Sequence, residues 1–186
     1  MEDNPVFQWI KRTAEREAKK DMMRRSDRMG QLLGVVFVVI FLMYFGTLYT
    51  ESTGFFTSEF TALGAFMFFG SGVYGIVPAL VRFITGRKNP ARPLDAIGSM
   101  FITVASAYIL LVFPLEFSHL GDLLPNALES LVEIITNDIA RILLAIAAVA
   151  SPVVALHNII LYIAVRKKLS AQAAPTTCAP SAGKEP

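Results

Sequence analysis

The chain is poor in the residues that build metal and redox sites. Its 186 residues include one cysteine and two histidines. The lone Cys178 cannot close a disulfide within the chain, and no CxxC or Cys/His spacing of a zinc site exists. Palmitoylation of Cys178 is disfavoured as well, because it lies ten residues beyond Lys168, farther than a juxtamembrane site. No cofactor is expected. Charge is scarce too: 17% of residues are charged, against about 25% in ordinary soluble domains. The charges cluster in a few segments and leave long stretches nearly bare. A short apolar region with a small-residue cleavage site is missing after Met1, so the first apolar segment is expected to act as an uncleaved anchor.

What is abundant is apolar sequence, at 54% of the chain. A bilayer core of about 30 Å needs about 20 apolar residues in a helix. Four segments meet that need, at residues 32–49, 60–83, 97–117 and 139–165. Strands are set aside, because runs such as Val35 to Phe41 do not alternate as barrel strands do. The fold class expected is all-α: an integral membrane four-helix bundle with a basic N-terminal helix.

Lys and Arg give the orientation. Eight of the seventeen precede the first span, four sit between spans two and three, and four follow span four. Only Arg141 lies elsewhere. The remaining loops carry Glu51 and Glu59 in one, and Glu116, Asp122, Glu129, Glu133 and Asp138 around the other. Positive residues stay on the cytoplasmic side, so both termini are expected inside, in the cell membrane.

Three further segments complete the organisation. Residues 1–29 read as a basic helix, with Val6, Trp9 and Ile10 on a short apolar stripe and Glu15 and Lys19 at i,i+4. It is either a solvated cytoplasmic helix leading into the spans of residues 30–168, or an interfacial helix with Phe7 and Trp9 among headgroups and its basic residues on anionic lipid. Glu15, Glu17, Asp21 and Asp27 dilute the positive charge, so no nucleic-acid partner is expected. Residues 127–136, between spans three and four, read as an amphipathic helix, because Leu128, Leu131 and Ile135 share one face. Residues 169–186 are rich in Ala, Pro, Ser and Thr and read as a disordered tail.

Few residues carry chemistry. A GxGxxG occurs at Gly70, Gly72 and Gly75, but it lies inside a span with no strand before it, so a dinucleotide site is excluded. Helix packing fits better: Ser71, Gly75 and Ala79 are spaced four apart, and Gly30 and Gly34 form a GxxxG at the start of span one. Ser71, Ser106 and Ser151 fall at similar depth and are either bonded to carbonyls one turn back or part of a polar layer inside the bundle. His157 and Asn158 are the strongly polar side chains within a span. No carboxylate or ammonium partner is expected at that depth, so His157 reads as a packing residue rather than a proton shuttle. Arg141 is expected to pair with Asp138 at i,i+3. Pro78, Pro114 and Pro152 kink their spans.

No acid/base pair, metal set or phosphate loop stands out. The leading expectation is a non-enzymatic accessory, assembly or interaction subunit, partnered by the bilayer and by another membrane protein or a second copy of itself. The alternative is an oligomeric transporter or channel component with a polar path near His157 and Asn158. A membrane enzyme ranks third.

Overall fold

The computed structural model describes residues 5–125, 128, 132 and 134–173. The chain is all-helical, and no strand occurs among the described residues. Among the described residues, five long α-helices follow one another: α1 (Pro5–Lys19), α2 (Arg25–Thr50), α3 (Ala62–Thr85), α4 (Arg92–Val112) and α5 (Asn137–Ala173). Four segments are long and apolar enough to cross a membrane: α2, α3, α4 with the turn before it, and α5.

Local chemistry sets the boundaries. Thr61 caps α3, its hydroxyl accepting from the Gly64 N–H at 3.4 Å. Gly86 ends α3 in a left-handed conformation at φ 63°, which glycine adopts without strain. Arg28 of α2 then donates to the exposed carbonyl of Phe83 at 2.9 and 2.6 Å, placing a cation on the negative end of α3. A 3-10 turn at Asn89–Ala91 leads into α4, and Pro93 sits in its first turn, where no N–H is needed. The helix of the third span therefore starts at Arg92, five residues before the expected Ile97. It also stops early, at Val112 rather than Phe117, because Phe113 turns left-handed at φ 43° and Pro114 follows. The fourth helix is longer than expected and runs to Ala173. Residues 169–173, read as the start of an unfolded tail, are helical, and residues 174–186 lie outside the described residues.

The close approaches form a row, α2 to α3, α3 to α4 and α4 to α5, with α1 against α5. Among the described residues, no comparably close approach joins α2 to α4 or α5. α2 and α3 pack closely at Gly72, where an added Cβ would stand 2.8 Å from Leu42 Cδ2. Gly75, the expected packing position, is open to space, as are Gly30 and Gly34. Gly98 of α4 lets the Tyr74 ring approach to 3.0 Å of where its Cβ would be.

Charge divides the row into two ends. The acidic end holds the core: Phe45, Leu48, Phe55, Phe60, Ile109, Leu115 and Leu120. Aromatic rings interlock there, with Phe55 and Phe56 edge-to-face at 4.8 Å. Two backbone bonds tie the α2–α3 turn to the end of α4, from Glu116 N–H to Phe55 C=O and from Thr57 N–H to Pro114 C=O. The amphipathic helix expected at residues 127–136 falls largely outside the described residues. Within it, Leu128 and Val132 are helical while Ile135 and Thr136 are not, and Val132 and Ile135 pack against this core. Arg141 makes no ion pair with Asp138; its guanidinium lies over the Phe113 ring at 4.2 Å. The left-handed turn at Phe113 accompanies this placement, giving a cation–π contact in place of the local pair.

At the basic end α1 docks on the protein. Ala14 is buried against it, and the Trp9 ring lies 6.2 Å from that of His157 in α5. Glu15 meets Lys168 at 2.8 Å, which puts both ends of the described chain on the same side of the row. That lysine, by its hydrogen bond and its charge, holds the Glu15 carboxyl below its ordinary value. Asp21 is buried, accepting from the Asn89 N–H at 2.8 Å through its side chain and from the Lys88 N–H at 3.0 Å through its carbonyl. α1 is therefore fastened to α5 and to the turn before α4, which neither sequence alternative foresaw.

Candidate functional site, a polar cavity at the basic end

Arg82, in the last turn of α3, forms an ion pair with Asp95, in the first turn of α4. Each keeps less than a quarter of its side-chain surface, at 24% and 17%. Arg82 also reaches Gln31 of α2 at 3.4 Å, so one side chain links three helices. Two charges removed from water hold such a site only as a pair, since breaking it strands the other charge.

Asp95 starts a ladder down α4. Ser99 donates to the Asp95 carbonyl at 2.8 Å, and Thr103 donates to that of Ser99 at 2.9 Å. Hydroxyls bonded one turn back in this way satisfy themselves without a partner helix. Ser99 lines a cavity of about 320 Å³ together with Ser71, Tyr74, Arg82, Asp95 and Asn158. A second cavity of about 280 Å³ lies on the α1 side and shares Arg82, Asp95 and Asn158 with the first. Thr13 and Glu17 of α1 wall it, with Lys88, Arg92 and His157. The two cavities thus lie on either side of these shared residues, one beneath α1 and one reaching the level of Ser71.

Arg92 stands at the wall of the second cavity with 8% of its side-chain surface exposed. Its Nη2 donates to the Glu17 carboxylate at 2.5 Å. Its Nη1 is buried and makes no hydrogen bond; the Asn89 Oδ1 is likewise unpaired.

The sequence candidates scatter against this geometry. Ser71 and Asn158 line the first cavity, and the Ser71 hydroxyl donates to the Phe68 carbonyl at 2.9 Å. Ser106 is buried but does not line either cavity, and Ser151 does not either. The serine at the cavity on α4 is Ser99, two turns nearer the basic end than Ser106. His157 is exposed rather than deep in the row. It lies about 30 Å along α5 from Asn137, at the rise of about 1.5 Å per residue, and so near the basic end. The expectation that it has no carboxylate nearby also fails, because Glu17 and Asp95 line its cavity.

Four residues central to the cavity were missed: Arg82, Asp95, Arg92 and Glu17. The available signal was Pro93. Placing it at the start of a helix brings Asp95 into the first turn and one turn from Ser99.

Other hollows lie apart. One of about 470 Å³ at the acidic end is walled by Glu116, Ser118, Asn137 and Asp138, and an outward groove of about 680 Å³ on α5 is apolar. Among the described residues, no group of three His, Cys, Asp or Glu could hold a metal ion. Compared with protein families, curated proteins and solved structures, the chain matches none.

Proposed function

We propose that this is a non-enzymatic multi-pass membrane protein that works by association, with another membrane chain or with a second copy of itself. The observation that supports it is the open face of α2. Among the described helices, that helix packs closely on α3 alone, and Gly30 and Gly34 stand four apart with nothing within 4 Å of where a side chain would be. A glycine facing lipid costs the helix about 1 kcal/mol relative to alanine and gains no contact. Facing a second helix, it lets the backbones approach closely. The proposed setting is the cell membrane with both termini cytoplasmic, supported by the Lys and Arg distribution.

The test has two parts. In a Cys178→Ser background, Ser52→Cys should label with an impermeant thiol reagent in intact cells and Lys88→Cys should not; the reverse pattern would invert the topology. In mild detergent, a Gly30→Leu/Gly34→Leu variant should lose the partner or the second copy that the wild type retains. Unchanged co-purification and unchanged mass would end the association reading.

The two cavities, which share Arg82, Asp95 and Asn158 as wall residues, favour a second reading, a solute-path component acting as an oligomer. Asn158 is the shared wall, so Asn158→Leu should reduce proton or chloride flux in reconstituted vesicles. Wild-type vesicles no leakier than protein-free ones would remove this reading.

A further inference from the structure

The chain buries a guanidinium and leaves half of its donor edge unused. Arg92 opens α4, a helix of 21 residues, and its side chain is more than nine-tenths buried. Nη2 is committed to Glu17, and Nη1 has no acceptor. A buried charged donor without a partner is costly, and native structures keep few of them without a reason.

The surroundings suggest the missing acceptor. Three cations, Arg82, Lys88 and Arg92, and two carboxylates, Glu17 and Asp95, wall the cavity. The carboxylates are spent on Arg92 and Arg82. Lys88 has no carboxylate within 4 Å among the described residues, so the cations lining the cavity outnumber its lining carboxylates by one, while the Asp21 carboxylate behind them is bonded to the Asn89 N–H. The positive end of the α4 dipole adds to the excess. Thr13 contributes a hydroxyl to the same wall, and His157 an imidazole.

We infer that the cavity beneath α1 is a binding site for a phosphate-type oxyanion, held by the free Nη1 edge of Arg92 and by Lys88. A tetrahedral oxyanion presents acceptors in several directions at once. It can take a guanidinium edge, an ammonium and a hydroxyl together, whereas a halide offers no directional match. Binding turns the Nη1 edge of Arg92 toward the cavity while Nη2 stays on Glu17. The phosphate could come from an anionic lipid headgroup or from a free phosphate. Basic pockets between helices near a membrane face take the former.

The experiment uses the full chain in mild detergent. Trp9 is the only tryptophan and touches the ring of His157 at the cavity wall, so its emission reports the site alongside the melting temperature. One arm titrates inorganic phosphate against sodium chloride at matched ionic strength. The other dopes the micelles with phosphatidylglycerol or with phosphatidylcholine. A saturable response is expected in at least one anionic arm and in neither control, and the arm that saturates identifies the source. Lys88→Ala should raise the midpoint roughly tenfold, the scale of one charge-assisted hydrogen bond. Arg92→Lys should act likewise while keeping a cation for Glu17, and if it fails to fold, Lys88→Ala decides alone. Lys20→Ala, an exposed basic residue outside the cavity, should leave the midpoint unchanged. Equal responses to phosphate and chloride and to the two lipids would overturn the site. So would a wild-type midpoint in Lys88→Ala, or equal weakening by Lys20→Ala.

Discussion

Arg92 and Glu17 lie 75 residues apart in sequence, and their side chains meet at 2.5 Å between the start of α4 and α1. This pair is one of the ties that hold α1 down, and Arg92 is its hidden member, with 8% of its side chain exposed against 30% for Glu17.

Glu17→Gln should loosen α1. It leaves the Arg92 charge buried without the carboxylate it is bonded to. Breaking a fully buried pair costs several kcal/mol, and with Glu17 partly exposed the expected loss is about 1–2 kcal/mol. The emission of Trp9 should shift to the red and the melting temperature should fall. A variant with wild-type emission and melting would mean that the pair does not hold the helix.

The Arg82–Asp95 pair should behave as a unit. Asp95→Leu alone strands Arg82 among three helices and should cost about 2–4 kcal/mol. A double variant, Arg82→Met with Asp95→Leu, removes both charges and should be less destabilised than the two single changes summed. Thermal melts of the four proteins give the coupling directly. Strict additivity would show that the two side chains act independently.

These ion pairs explain which parts of the fold could be read from sequence. Long uncharged runs locate α2 and α3 to within a few residues, except at the start of α2, because hydropathy alone decides them. The same rule misplaces the start of α4, since it treats Arg92 and Asp95 as loop residues. It cannot know that Glu17 and Arg82 neutralise them. Likewise His157 reads as deep only when α5 is taken to stop at Val165; extended to Ala173, the histidine falls beside Trp9. The docking of α1 depends on contacts across 75 and 153 residues, which no local pattern encodes.

Gly72 and Gly75 should respond oppositely to added bulk. Gly72 faces Leu42 at 2.8 Å from an added Cβ, while Gly75 faces open space. Gly72→Val should force the Leu42 side chain to move and cost about 1–3 kcal/mol through overpacking. Gly75→Ala should be neutral or stabilise by up to about 1 kcal/mol through helix propensity. Melting temperatures measured side by side decide the matter, and a greater loss at Gly75 would refute this packing.

Glu116 should make stability depend on acid. It lies beyond the end of α4, where Asn137 donates to its carboxylate at 2.8 Å and Ser118 at 3.1 Å. These bonds, Asn137 first, hold its carboxyl below the ordinary value of 4.5. The folded state thus favours the ionised form more than the unfolded state does. The resulting stabilisation is fully present above the unfolded value and is lost as pH falls through the folded one. Asn137→Ala removes the larger bond. It also removes the acceptor for the Phe117 N–H, an effect that does not vary with pH. The wild type should therefore exceed Asn137→Ala in melting temperature by more at about pH 7 than at about pH 3, with the gap narrowing below the ordinary carboxylate range. Ser118→Ala, which leaves Asn137 in place, should show the same narrowing on a smaller scale. A gap that stays constant over that range would mean the carboxylate gains nothing from its two donors.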